Sequence, residues 1–316
     1  MERLVIRDAD SKIVLLVIDG LGGLGREPGG PTELEAARTP HMDALAGESV
    51  CGLSLPINSW VTPGSGPSHL ALFGYDPLQY RIGRGVLEAL GIGFDLEDGD
   101  VAARGNFCTV DDGGVIVDRR AGRIPSEKAA ELCDMLRGIE LDDAELWVEP
   151  VREYRFVTVL RGKDLRCELT DSDPQKVGSA PLPVTATIPE AEPTARMVES
   201  FIQQGSAILS QQRPANMFVL RGFSQQPKWP SMEEVFGLRA AAIASYPMYR
   251  GLAALVGMQT LPVAAALEEE FDLLESCFND FDFFYVHVKE TDSAGEDGDF
   301  DRKVSILEEV DALLPR

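Results

Sequence analysis

The chain has 316 residues, 52 of them acidic and 29 basic, for a formal charge of −23. Its 44% hydrophobic and 26% charged content is ordinary for a globular protein, and the length supports about two domains, each with its own core. Such an acidic excess argues against nucleic acid or an anionic membrane as the main partner, since both need a broad basic surface; a small anion held by a few local arginines remains compatible.

In chain order, the first strong element is Ile13-Val14-Leu15-Leu16-Val17-Ile18, a continuous aliphatic run that stops at Asp19-Gly20. Such a run predicts a strand buried on both faces, as in a parallel sheet. A glycine-rich loop follows, through Gly20, Gly22, Gly23 and Gly25 to Pro28-Gly29-Gly30-Pro31. Thr39 to Ala46 predicts a helix with a Thr39 N-cap and Pro40 in its first turn. In Thr62-Pro63-Gly64-Ser65-Gly66-Pro67-Ser68-His69-Leu70-Ala71-Leu72-Phe73, Ser65 is flanked by glycines, and Pro67 is placed to open a helix running to about Phe73.

The middle, from about Phe94 to Gln226, changes style. Alternating stretches such as Arg155-Phe156-Val157-Thr158-Val159-Leu160 are separated by turn signals at Asp111–Gly114 and Thr170–Pro174, and a proline-rich loop spans Pro181 to Pro193. This predicts an α+β module, residues 81–230, inserted into an α/β domain formed by residues 1–80 and 231–316. Near the end, Phe281 to Val288 is a second buried-strand candidate running into Lys289-Glu290-Thr291-Asp292. Phe300, Val304, Leu307, Val310 and Leu314 then recur at helical spacing.

Asp19 and Asp292 each fall just past the C-terminal end of a strand, the edge where parallel sheets bind ligands. Together they suit a hard divalent cation, with Glu296, Asp297 or Asp299 as further donors; loop capping and solvation explain either residue better alone than the pair. A serine hydroxyl at a helix N-terminus meets free N–H groups and the positive dipole end, which suits phosphate, and a nearby metal would activate it as a nucleophile. A plain turn and cap is the competing reading for Ser65. Ser68 is a less exposed rival, and His69 is either a base or, the reading favoured for a lone histidine, a packed ring. Arginines gather in the module: Arg104, Arg119, Arg120, Arg123, Arg152, Arg155, Arg161, Arg166 and Arg221. Converging guanidinium forks clamp a small dianion; pairing with the abundant acids accounts for most of them, less well for Asp118-Arg119-Arg120 after the strand-like Gly114–Val117. Cys51, Cys108, Cys133, Cys167 and Cys277 are odd in number and form no C-x-x-C pair, so a reduced, cytoplasmic chain is expected, without a disulfide frame or zinc–thiolate site. No apolar run reaches the ~20 residues of a membrane helix, and Met1–Asp10 shows no secretory apolar region.

With these motifs assembled, the sequence resembles the cofactor-independent phosphoglycerate mutases of the archaeal type, within the alkaline phosphatase superfamily. The resemblance is carried by Val17–Gly23, Gly64–Pro77, Tyr80–Gly85, Arg104–Phe107, Asp118–Ile124, Thr170–Pro174, Tyr249–Ala253 and Thr291–Asp299. It implies an alkaline-phosphatase-like, mostly parallel sheet with an inserted substrate-binding α+β domain. It also implies interconversion of 2- and 3-phosphoglycerate through a phosphoserine, in glycolysis and gluconeogenesis, with two divalent metal ions (Mn²⁺ or Mg²⁺) and no 2,3-bisphosphoglycerate. By the resemblance, Asp19 and Ser65 would hold one metal, with Ser65 the nucleophile, and Asp292 and Glu296 the other. Asn106, Asp118, Arg119 or Arg120, Arg155, Arg161, and Arg221 or Arg250 would hold the glycerate, with Arg120 also placed at the chemistry. The partner is then a small phosphorylated substrate; the oligomeric state is open.

Two departures stand out. The family usually has histidine where this chain has Glu296, and it continues past the last helix with a strand carrying an Asp-His pair and a further His. The only histidines here are His41, His69 and His287. Incomplete metal sites, an apolar sheet edge left open, and a fragment of roughly three-quarters of family length, itself inactive, are therefore expected. A metallophosphatase or phosphomutase acting on another metabolite, and an inactive remnant, are the alternative readings.

Overall fold

The computed structural model describes residues 11–61 and 64–316; Met1–Asp10 and the motif residues Thr62 and Pro63 lie outside the described residues. In chain order the elements begin with β1 (Ile13–Ile18), α1 (Glu33–Ala36), α2 (Pro40–Glu48), α3 (Ser65–Leu72) and α4 (Arg84–Gly91). Next come β2 (Val101–Val110), β3 (Ile116–Asp118), α5 (Ser126–Leu136), β4 (Ala144–Arg152), β5 (Arg155–Gly162), α6 (Glu192–Leu209) and β6 (Met217–Ser224). The chain closes with α7 (Met232–Phe236), β7 (Ala240–Ala244), α8 (Pro247–Leu255), β8 (Gln259–Thr260), α9 (Leu267–Cys277), β9 (Phe283–Val288), α10 (Glu290–Glu296) and α11 (Phe300–Leu313). It divides into two compact units, Met1–Gly74 with Trp229–Arg316, and Tyr75–Lys228.

The first unit is built on a parallel sheet in the order β1-β9-β7-β8. Every residue of β9 and β7 is buried, as sequences apolar but for His287 of β9 require. Leu16 and Ile18 pack with Phe271, Val288 and Val310, which seats α9 and α11 on one face. β1 differs from expectation: its sequence fits a strand covered on both sides, yet among the described residues only β9 pairs with it, so Ile13 and Val14 stay 49% and 44% exposed. α2 also departs locally. Thr39 occupies its N-cap position without a capping side-chain bond. Instead Asp311 of α11 accepts from the His41 and Met42 backbone N–H groups at 3.0 and 2.7 Å, satisfying the free donors of the first turn.

The second unit is an antiparallel sheet in which β2 lies between β5 and β6, β4 flanks β5, and β3 pairs with the end of β2. Phe107, Phe156, Phe201, Phe218, Leu132 and Leu136 form the core under α5 and α6. On the other face α4 lays Val86 and Ala89 on Ala102, Val157 and Val159. That contact needs Gly85, because a Cβ there would stand 2.0 Å from the Ala102 carbonyl oxygen.

Candidate active site

The first unit brings together the ends of β1 and β9 with the start of α3. Asp19 leaves β1 with its N–H bonded to Val288 O at 2.9 Å, and its own carbonyl accepts from Thr291 Oγ1 at 2.5 Å. The chain then turns at Gly20, whose φ of +66° is left-handed and whose missing Cβ would lie 2.6 Å from Asp292 Cα. Only glycine meets both demands. The two strand ends therefore hold Asp19 and Asp292 side by side.

Between them lies Lys289. Its Nζ donates to Asp19 Oδ2 at 3.0 Å and to Asp292 Oδ2, and it sits over the rings of Tyr246 and Tyr249. Burial alone would lower its pKa, but the two carboxylates outweigh that and raise it. The Tyr249 hydroxyl donates to Asp19 Oδ2 at 2.7 Å and is itself hydrogen-bonded by the Ser65 side chain. For Asp19, burial pushes the pKa upward, and the Tyr249 bond and Lys289 ammonium override it to hold the carboxyl below its ordinary range. Burial and the Asp19 charge raise the Tyr249 phenol.

Ser65 is the first residue of α3, with Gly64 at the N-cap. The helix starts two residues earlier than Pro67 suggested. Pro67 sits in the first turn, where a missing N–H costs nothing. Behind the serine, the buried His69 donates from Nδ1 to Ser65 O at 2.8 Å, and its ring lies against Tyr249, Tyr285 and His287 at 4.4, 5.9 and 5.3 Å between centroids. Burial lowers the His69 pKa, and burial together with His69 pushes His287 down to about 3. Both rings are thus neutral near pH 7. His287 lies 3.6 Å from Asp19 Oδ2.

Glu296 ends α10 and, with Asp292, lines a cavity of about 560 Å³ beside the 20–26 loop. That loop is braced by Lys303, which is 2% exposed and donates to Gly22 O at 2.7 Å while pairing with Glu33 at 3.6 Å. Among the described residues, no group of three or more carboxylate, histidine or cysteine side chains is arranged to hold a metal ion. With an ammonium already between the two carboxylates, this donor set does not by itself fit a divalent ion.

In the second unit, strand register gathers part of the arginine set on one sheet face. Arg104 of β2 is opposite Arg221 of β6, and the buried Asn106 is opposite Arg155 of β5. The Thr170–Pro174 segment delivers Asp173, which takes Arg119 at 3.0 Å and Arg221 at 3.8 Å. Arg104 bonds Asn106 at 3.2 Å and pairs with the buried Glu88 at 3.4 Å. Asp118 folds its own loop, accepting from the Arg120 and Gly122 N–H groups, and leaves the Arg120 side chain exposed. Arg161 shares this face by strand periodicity but is not brought to the cluster. It is locked at the far end of β5 by Asp100, by Glu97 and by the ring of Trp147, roughly 20 Å along the strand from Arg155. Arg250, in the first unit, donates to Ala244 O and Leu261 O and so ties α8 to the sheet. Sequence reasoning missed Tyr249 and Lys289, although Tyr249 adjoins the singled-out Arg250 and Lys289 immediately follows β9.

A parallel sheet with carboxylates at its strand ends and an antiparallel module inserted in the chain defines an α/β enzyme of the alkaline-phosphatase-like class. The sequence profile of the 2,3-bisphosphoglycerate-independent phosphoglycerate mutases matches residues 46–216. The chain is 50% identical over 310 residues to a probable 2,3-bisphosphoglycerate-independent phosphoglycerate mutase of Thermus thermophilus, covering 96% of this chain and 76% of that protein. For the Aquifex aeolicus protein described in the same words the identity is 46%, over 99% of this chain and 79% of the relative. Among solved structures, the cofactor-independent phosphoglycerate mutase of Thermoplasma acidophilum aligns with a TM-score of 0.66 at 31% identity, covering 96% of this chain and 82% of its own. A Pyrococcus horikoshii protein aligns with a TM-score of 0.76 at 26% identity, covering 96% and 77%. The chain belongs to the 2,3-bisphosphoglycerate-independent phosphoglycerate mutase family. No helix among the described residues is long and apolar enough to cross a membrane.

Proposed function

We infer that this chain carries the machinery for interconverting 2- and 3-phosphoglycerate through a phosphoserine at Ser65, on a small phosphorylated substrate in the cytoplasm, within glycolysis and gluconeogenesis. The observation that carries the reading is Ser65 at the N-terminus of α3, linked through Tyr249 to Asp19. In the first transfer the Ser65 Oγ–P bond forms as the glycerate O–P bond breaks, and the serine proton ends on the released hydroxyl. The second transfer reverses this onto the neighbouring hydroxyl, so no bisphosphoglycerate is required. The free N–H groups of α3 receive phosphoryl oxygens. Tyr249 and Lys289 hold Asp19 and Asp292 in place, so little reorganisation is needed as charge moves. Arg104, Arg119, Arg155 and Arg221, with Asn106, are the donors suited to the carboxylate and phosphate of the glycerate.

The two divalent ions implied by the resemblance would draw on Asp19, Asp292 and the Ser65 hydroxyl, with Glu296 on the α10 side, and would need donors beyond these. The test is a coupled assay and phosphate-label transfer from labelled 3-phosphoglycerate, with Mn²⁺ present. It compares the chain alone with the chain co-expressed with the quarter of the Thermus relative that lies outside the match. Turnover in the second sample only, with labelled serine that Ser65→Ala abolishes, is expected. Turnover that survives Ser65→Ala would remove the assigned nucleophile.

A further inference from the structure

The pair formed by Asp19 and Asp292 already holds a cation, and that cation belongs to the chain. An ammonium has three donors. Lys289 Nζ gives one to Asp19 Oδ2 at 3.0 Å and one to Asp292 Oδ2, and it rests over the rings of Tyr246 and Tyr249, 5.5 and 5.8 Å from their centroids. Asp19 Oδ2 is saturated in turn. It accepts from the Tyr249 hydroxyl at 2.7 Å as well as from the ammonium, and His287 Nε2 stands 3.6 Å away. Helix capping does not explain the placement of Lys289. It is the N-cap residue of α10, its side chain makes no capping bond, and a cation at a helix start works against the dipole. The two carboxylates hold it there. The trio carries one net negative charge, and would carry two without the ammonium, in a place largely shielded from water where such charges act strongly.

We propose that Lys289 is an internal counter-ion that keeps divalent metal ions off the Asp19–Asp292 pair, so that such an ion binds there only by exchange with the ammonium. An entering ion must break the Lys289 bonds to both oxygens and share Asp19 Oδ2 with Tyr249, while the ammonium returns to water on its flexible stem. Divalent occupancy of the pair and the Lys289 contacts therefore exclude one another.

The probe is Mn²⁺ alone, titrated by electron paramagnetic resonance into the full 316-residue chain at neutral pH. Binding that Asp292→Asn removes is assigned to the pair, which sets aside weak binding to the acidic surface. In the native chain the pair should bind no tighter than about 1 mM. Lys289→Met should tighten that binding at least about tenfold, and Lys289→Arg, which keeps the charge, should not. Mn²⁺ at about 100 times the dissociation constant of the Lys289→Met chain should lower that variant's unfolding constant about 100-fold, and the native chain's by about tenfold or less. If Lys289→Met does not fold, the Lys289 ammonium decides by nitrogen-15 NMR: its protons should exchange slowly with water in the native chain, and Mg²⁺ at about 0.1 mM should leave them slow. A native pair that binds Mn²⁺ as tightly as Lys289→Met, equal tightening by Lys289→Arg, or ammonium protons that exchange fast or are released by that Mg²⁺ would each overturn the proposal. It rests on the reading of Asp19 and Asp292 as a metal-binding pair, and not on turnover. Tight Mn²⁺ binding by Lys289→Met without any phosphoserine would strike only the mutase reading, and labelled Ser65 in a chain whose native pair binds as tightly as the variant's would strike only the role of Lys289.

Discussion

Replacing Lys289 with methionine isolates the charge arrangement at the candidate active site. The ammonium lies 3.0 Å from Asp19 Oδ2 and also bonds Asp292, and the three side chains are 14%, 21% and 26% exposed in the order Lys289, Asp19, Asp292. Unit charges 4 Å apart in an effective dielectric of about 20 interact by about 4 kcal/mol. Partial solvent screening, and the desolvation that the variant no longer suffers, reduce the net cost of Lys289→Met to about 2–3 kcal/mol near neutral pH. The Lys289 pKa is raised, so its contribution is complete below the ordinary lysine pKa and is lost as pH climbs through the raised value. The Asp19 pKa is lowered, so its share is present above the ordinary carboxyl pKa and is lost as pH falls through the lowered value. The cost should therefore form a plateau from weakly acid to alkaline pH and shrink as the carboxylates protonate. Urea unfolding of both proteins at pH 7 and at steps down through the carboxylate range reads this directly. A cost of the same size at both ends, or one below about 0.5 kcal/mol at pH 7, would refute the ammonium bridge.

Arg161→Ala should cost about 2–4 kcal/mol by stranding the buried Asp100 carboxylate, without changing calorimetric binding of 3-phosphoglycerate, whereas Arg155→Ala should weaken that binding with little loss of stability. The opposite outcome would place Arg161 at the substrate. Lys303→Met should destabilise by about 3 kcal/mol because Glu33 is left buried and unpaired, and adding Glu33→Gln should recover part of that in a double-mutant cycle. Strict additivity would show that the two do not interact. His287 should show no imidazole titration by NMR between about pH 5 and 8. Its folded pKa near 3 lies below that of the unfolded chain, so stability should fall as acidification protonates the unfolded state first. An imidazolium forming near pH 6 in the folded protein would contradict its burial.

Much of the fold and part of the site were legible in the chain itself. β1 and β9 announce themselves because near-continuous apolar runs mark strands of a parallel sheet, although β1 is left partly exposed and β9 carries the buried His287, and aspartates just past such strands fall at the edge where parallel sheets bind ligands. The Gly64-Ser65-Gly66-Pro67 segment signals a helix start, because small residues and an early proline suit a turn whose N–H groups have no intrahelical partner. The coarse division into a core and an inserted module follows from the change in periodicity. Family resemblance added roles for these residues, but not their contacts.

Other features came only from the folded chain. Tyr249 meets Asp19 across 230 positions and Lys289 meets it across 270, and no local pattern encodes such a meeting. The same holds for Asp311 capping α2, which displaced the role expected of Thr39. Composition made the module's arginines look like one set. Position along the strands separated them, setting Arg155 and Arg221 near Asn106 and leaving Arg161, on the same face but at the far end of β5, to Asp100. The order of residues was enough to dictate which segments had to be buried and where polar groups had to interrupt them, because burial is imposed residue by residue. Which charges neutralise one another was settled by the tertiary fold, because that depends on neighbours that only the completed packing supplies.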